Sequence, residues 1–311
     1  MRFCCHSLLL VTSLLSLATM SAASHAAEAK KPVLLGVVTR DSLQQEPYSE
    51  WFDKNYEDYT PNPSVTAQLR ETLKDQQVSV FFGSWCGDSK REVPHLLKVL
   101  DKISFPTENL SLVAVSNADS MKRQSPDGEE LGQEVFRVPV ILVLEHGVEV
   151  SRIVEHPVLS LERDLLEITS HNSYTPNYTS FVLLGEWLTA GLLSDENVSY
   201  RGLARQLQGL VLSEGELNTA GDVLQGRGQL PEAVKVYQMN VALFPKSASR
   251  RLALAKALHE SAEYEDAERM LKRAVELNDD HDRLKAILDL LEEVQEQLHQ
   301  QALEEEAANE S

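Results

Sequence analysis

The stretch FFGSWCGDSKREVP, residues 81–94, contains an apolar run that breaks at Gly83, the pair Trp85-Cys86, two turn-friendly residues, and Ser89 three positions past the cysteine. The run leading into it, QQVSVFFG, reads as a buried strand. The stretch following it, CGDSKREVPHLLKVLDKI, reads as a helix with Val93, Leu96, Leu97, Leu100 and Ile103 on one face. A cysteine between the two sits where free backbone N–H groups and the helix dipole stabilise a thiolate. Asp88 opposes this with a nearby negative charge. Ser89 can point its hydroxyl back at the sulfur as a donor, and Trp85 offers a flat apolar wall suited to an extended peptide.

Outward from this junction, strand and helix signals alternate from Pro32 to about Ser170. VLLGVV and LSLVAVS are strand candidates, and PNPSVTAQLRETLKD offers Ser64 as a helix N-cap. DGEELGQEV, residues 127–135, reads as a short helix. VPVILVLEHGVEVSRIVE reads as a hairpin turning at His146-Gly147, and LSLERDLLEIT as a closing amphipathic helix. The order β-α-β-α-β-α-β-β-α implies a mixed sheet with helices on both faces. Tyr48, Trp51, Phe52 and Tyr56 recur at helical spacing ahead of it, as core or lid residues or as a lining beside Cys86.

After the turn-rich residues 173–180 the periodicity is almost entirely helical. Within it, GDVLQGRGQLPEAVKVYQMNVALFP overlays AKALHESAEYEDAERMLKRAVELND at an offset of 34 residues. Gly221 falls on Ala255, Leu224 on Leu258, Ala233 on Ala267, Tyr237 on Leu271 and Pro245 on Asp279. Small residues at the first and third of these positions permit close helix contact and larger ones fill the space between. That is the tetratricopeptide period and pattern. The expected organisation is a sheet domain over 32–172, a linker over 173–180, a helical tetratricopeptide-like domain over 181–298 and an acidic tail over 299–311.

Arg2, the apolar run from Leu8 to about Leu17 and the small residues after it read as a signal peptide over residues 1–26. Its removal would take away Cys4 and Cys5 and one basic residue, leaving Cys86 alone and moving the net formal charge from −19 to −20. A lone cysteine allows no internal disulfide and no zinc framework. An acidic surface disfavours nucleic acid and anionic lipid, and no second hydrophobic span follows. The histidines have no metal-ligand spacing, and no phosphate loop or nucleophile elbow is present, so no cofactor is expected. His95 reads as a boundary residue and Glu92 as a solvated helix residue.

WCGDS, with Pro94 eight residues past the cysteine, resembles the Trp-Cys-Gly-Pro-Cys site and kinked helix of the thioredoxin superfamily. SKREVP is similar to the segment after the second cysteine in the exported TlpA/ResA-type branch, which also carries a Glu and a Pro. FRVPVILVLEHGVEV is similar to the superfamily's cis-proline segment and hairpin. The resemblance implies an α/β thioredoxin fold, with Cys86 as nucleophile and Ser89 in the place of the second cysteine. It also implies substrate contacts at Trp85, Gly87, Asp88, Val138 and cis-Pro139, and a tuning role for Glu92.

Two departures bear on activity. Ser89 cannot resolve a mixed disulfide, and Val80 stands where thioredoxin has a buried acid, so the sequence argues against a dithiol cycle. What remains is an exported, periplasmic monothiol protein that forms mixed disulfides with cysteine-containing polypeptides or small thiols and binds partners through its helices. The alternative is a non-catalytic adaptor in which both halves bind extended polypeptide. A thiol-peroxidase reading lacks a recognisable resolving cysteine.

Overall fold

The computed structural model describes residues 32–309; the segment read as a signal peptide lies outside the described residues. Its sheet is built on β2 (Gln77–Phe82), whose Val78, Val80 and Phe82 face one side while Phe81 faces the other. This is the period of two that a strand buried on both faces requires. β2 pairs in parallel with β3 (Leu110–Ala114) and antiparallel with β4 (Val140–Glu145). The edges are β1 (Gly36–Val38) on β3 and β5 (Val148–Val154) on β4, giving the order β1-β3-β2-β4-β5. The β4–β5 hairpin turns at His146 and Gly147, with φ of 52° and 80°. Both residues have the positive φ that a two-residue turn matched to strand twist demands.

One face of the sheet carries α1 (Arg40–Leu43), α2 (Ser49–Asp58), α3 (Pro63–Leu73), α4 (Gly87–Ile103) and α5 (Leu161–Thr169), whose buried residues form a single cluster with the sheet. Phe52 belongs to that cluster and Trp51 and Tyr56 pack against it, so these three aromatics pack the core on the face away from the cluster that holds Cys86. Asn62 caps α3, its side chain accepting from the N–H groups of Ser64 and Val65; Pro63 at the first helical position displaces the expected Ser64 cap.

The expectation of helices on both faces fails at residues 127–135. Gly128, Gly132 and Glu134 adopt positive φ there, and the segment is a chain of turns. The second face is covered instead by apolar residues of 115–138 and by Tyr178.

From residue 179 the chain is helical: α6 (Thr179–Thr189), α7 (Tyr200–Leu207), α8 (Glu214–Gly226), α9 (Leu230–Leu243), α10 (Ala248–Glu260), α11 (Tyr264–Leu277) and α12 (His281–Asn309). The acidic stretch from 299 continues α12 as far as Asn309. Ser213 and Glu216 form a reciprocal capping box at the start of α8. Glu216 also accepts the Ser180 hydroxyl, tying α6 to α8. The pairs α8–α9 and α10–α11 are the two copies of the 34-residue repeat. Gly221 lies under the Tyr237 ring, where a Cβ would stand 2.5 Å from a ring carbon, and Ala255 and Leu271 are buried at the matching positions.

The helical half also meets the loop after β3. Gln124 donates to the Gly226 carbonyl at 2.8 Å, and Lys122 lies 3.7 Å from Asp222.

Replacing Gly221 with Val should lower the free energy of unfolding by about 2 kcal/mol, because Tyr237 is enclosed on its other sides and cannot retreat. Urea unfolding of the two proteins tests this; coincident midpoints would show that the α8–α9 contact is looser than described.

Candidate functional site

Gly83 directly follows β2, and a Cβ there would stand 2.4 Å from the Trp85 indole, so only glycine lets the ring lie on the backbone. The indole N–H donates to the Val115 carbonyl at 2.9 Å, pinning the turn to the end of β3. Cys86 follows as the N-cap of the 17-residue α4 and is partly exposed beside exposed Gly87. Its sulfur donates to the Val138 carbonyl at 3.3 Å, and the Val138–Pro139 peptide is cis. Trp85, Cys86, Val138 and Pro139, distant in sequence, thus meet at one end of the sheet.

Ser89 is fully buried, and its oxygen accepts from the Gly83 N–H at 3.1 Å. The expected hydrogen bond from Ser89 to the sulfur is not formed among the described residues; the hydroxyl secures the strand end instead. Asp88 pairs with Arg91 at 2.8 Å, which partly neutralises the negative charge it places near the sulfur.

Glu92 is buried, contrary to its reading as a solvated residue. Arg91 Nε lies 2.7 Å from one of its oxygens and His95 Nδ1 3.8 Å from the other, and His95 stacks on Tyr59 at 4.2 Å. Burial acts to raise the Glu92 pKa, but His95 and Arg91 outweigh it and hold the carboxyl below its ordinary value.

Sequence reasoning missed the cations. Arg123, in the left-handed region with φ 57°, places its guanidinium 4.5 Å from the Trp85 ring centroid and donates to Asn117 at 2.6 Å. Burial lowers its pKa from the ordinary arginine value, while the Cys86 sulfur acts in the opposite direction. Arginine keeps its charge in such a setting, so a cation stands close to the cysteine. Its indole face is therefore not the open apolar wall expected.

Arg137, directly before Val138, bonds to Glu155 at 2.7 Å and lies 4.8 Å over the Tyr178 ring. Burial, together with the hydrogen bond to Glu155, pushes Tyr178 up to about 12. Asp222 of α8 accepts from Tyr237 at 2.6 Å and faces Lys122 and Arg123, carrying the helical half up to the site. The signal for Arg137 was its adjacency to Val138-Pro139. Arg123 had none, since its position follows from the path of a turn. Among the described residues no cluster of side chains is suited to a metal ion.

Two measurements address this geometry. Arg123→Met should slow alkylation of Cys86 by anionic iodoacetate several-fold more than alkylation by neutral iodoacetamide, because the fixed cation attracts only the former. An unchanged ratio would mean that Arg123 does not act on reagents at the sulfur. Glu92→Gln should cost about 2 kcal/mol at pH 7 through loss of charge-assisted bonds. A carboxyl held below its ordinary value stabilises the fold fully above that value and loses the contribution as pH falls through its folded one. The gap in urea midpoint between wild type and Glu92→Gln should therefore close on acidification below pH 4. A gap independent of pH would exclude the ion pairing.

Residues 224–291 match the tetratricopeptide repeat family model, spanning the end of α8 to the middle of α12. No curated protein and no solved structure matches the chain. Residues 224–291 are thus similar to tetratricopeptide repeats, helical units that suggest a polypeptide-interaction module.

Proposed function

We propose that the sheet half is a thioredoxin-like domain with a monothiol site, and that the protein forms mixed disulfides through Cys86 with cysteine-containing polypeptides or small thiols. In this reading the chain is exported to an envelope compartment, its first 26 residues acting as a signal peptide, and the repeat helices hold the polypeptide partner. The observation that carries the reading is the Cys86 sulfur at a helix N-cap, 3.3 Å from the carbonyl of Val138, with the cation of Arg123 nearby and Ser89 bonded elsewhere.

The Cys86 thiolate attacks one sulfur of a partner disulfide along the S–S axis. A Cys86–partner S–S bond forms, the partner's own S–S bond breaks, and its second sulfur leaves with the electron pair as a thiolate. In a two-cysteine site a second thiolate would then attack the new bond. The Ser89 hydroxyl has far too high a pKa to do so and already accepts from Gly83. Val80 supplies no proton acceptor. Release therefore waits for an external thiol, which takes over the partner sulfur and returns Cys86 as thiolate. Trp85, Gly87, Asp88 and the backbone of Val138 frame the approach of the partner.

The rival reading, a non-catalytic adaptor, is favoured by the repeat match and by the contact of α8 with the loop beside the site. There both halves bind extended polypeptide and Cys86 is a packing residue.

Non-reducing gels after thiol blocking separate the two. Wild type should accumulate mixed disulfides, released by dithiothreitol and at least tenfold less abundant in Cys86→Ala. Ser89→Cys should shorten their lifetime, though less than in a true dithiol site because Val80 offers no base. Equal recovery of partners by wild type and Cys86→Ala would overturn the thiol-exchange reading in favour of the adaptor.

A further inference from the structure

α10 presents Leu254, Ala255 and Leu258 to the core of the helical half, and one turn earlier on the same face it presents an arginine. Arg251 is only 9% exposed. Its guanidinium donates to the Ser247 carbonyl of its own helix at 3.3 Å, and among the described residues it forms no ion pair with a carboxylate. A buried cation without a counter-charge is a costly arrangement, and proteins ordinarily pair or replace it.

Arg251 lines a cavity of about 390 Å³ between α7, α9, α10 and α11. Three further arginines line it: Arg201, Arg269 and Arg273. The carboxylate lining it is Asp266, which is already paired with Arg269, while Arg273 pairs with Glu276 at an exposed position of its own helix. Burial, reinforced by the like charge of Arg273, lowers the Arg251 pKa from its ordinary value. Such a concentration of guanidinium is out of character for a chain with 48 acidic and 29 basic residues. Of the remaining wall, Val241, Leu254, Leu258 and Met270 are apolar, beside the polar Gln238 and Tyr200. The volume lies in the range of small-molecule sites and is too small for a folded partner.

We propose that this cavity binds a small amphipathic anion, one carboxylate or phosphate head seated on Arg251 and Arg273 with an apolar body against Leu254 and Met270. The planar fork of arginine matches both head groups, and the head supplies the counter-charge that Arg251 lacks. The site is independent of Cys86 and of the exchange chemistry proposed there.

Isothermal titration of the full chain with hexyl phosphate, hexanoate, hexylammonium and inorganic phosphate tests the proposal. Hexyl phosphate, hexanoate or both should bind at one site per chain, and whichever binds identifies the head group. Hexylammonium should not bind, and inorganic phosphate should bind at least tenfold more weakly than the alkyl anion. Arg251→Met, which keeps the volume and removes the charge, should weaken the anion at least tenfold without lowering the melting temperature. Arg251→Lys should fall between it and wild type. Arg273→Met, at an exposed position where folding is not at risk, should weaken binding about threefold or more. Absence of saturable binding by either alkyl anion, equal binding of hexylammonium, or undiminished affinity in Arg251→Met would each overturn the proposal. So would binding of a Glu-rich peptide in the absence of binding by both alkyl anions, since the site would then belong to a polypeptide.

Discussion

The contact of the Trp85 indole with the bare backbone of Gly83 sets the geometry of everything around the cysteine. With any side chain at Gly83 the ring would be driven off the strand end. Its N–H could then no longer reach Val115, and the turn that delivers Cys86 to the start of α4 would lose its anchor on β3. The Ser89 bond to the Gly83 N–H locks the same turn from within the helix. Strand end, indole, N-cap and first helical turn are thus one unit, and Arg123 closes it by lying over the ring. The chemistry proposed for Cys86 depends on that unit, because it fixes the sulfur against Val138 and leaves Gly87 open to solvent.

A second glycine governs the helical half by the same physics. Gly221 allows α8 to approach the Tyr237 ring, and the Tyr237 hydroxyl then reaches Asp222 one residue along. Asp222 in turn faces Lys122 and Arg123 on the loop after β3. A packing requirement of the repeat therefore places a carboxylate opposite the cations near the cysteine. At the end of α8, Gly226 lies against the same loop, where a Cβ would stand 2.8 Å from the Asp119 carbonyl oxygen. The two halves meet at α8, whose small residues face in both directions, and also at α6, where Phe181 packs against Phe136 and Gly185 lies against Glu134.

Much of this was legible in the sequence. Strand periodicity around Phe81, the apolar stripe of α4 and the His146-Gly147 turn follow from local rules that act within a few residues. The repeat was legible because Gly221, Ala233, Ala255 and Ala267 recur at a fixed spacing, and a family match over 224–291 bears out that part. The short helix read at 127–135 was wrong because its glycines adopt positive φ, a choice made by the tertiary path and not by helical pattern. Ser89 was misdirected for a related reason: its side chain satisfies a buried backbone N–H, and which N–H is left over at a strand end is known only once the turn is built. Arg123 and Asp222 could not be foreseen, since their meeting requires a loop and a helix nearly 100 residues apart to touch.

The interior charges differ in how fully the chain itself answers them. Glu92 was read as solvated yet is buried, and its ionised form is held by Arg91 and His95 on the same helix. Glu216 is buried and answers three donors, from Leu212, Ser213 and Ser180. Glu162 is buried and accepts from Tyr59 and from the Asn62 N–H. Each of these carboxylates has its counterpart within the chain, so each is accounted for by folding alone. Arg251 is buried to a similar degree and has a single backbone carbonyl from its own helix. The fold contains ample acid to have supplied a partner, with 48 Asp and Glu residues. Lys235, buried to the same degree, also lacks a paired carboxylate among the described residues but bonds to two carbonyls, those of Leu192 and Asp195. Arg251, with one carbonyl where Lys235 has two and in a cavity lined by three further arginines, is the interior cation best suited to a counter-charge from outside the chain.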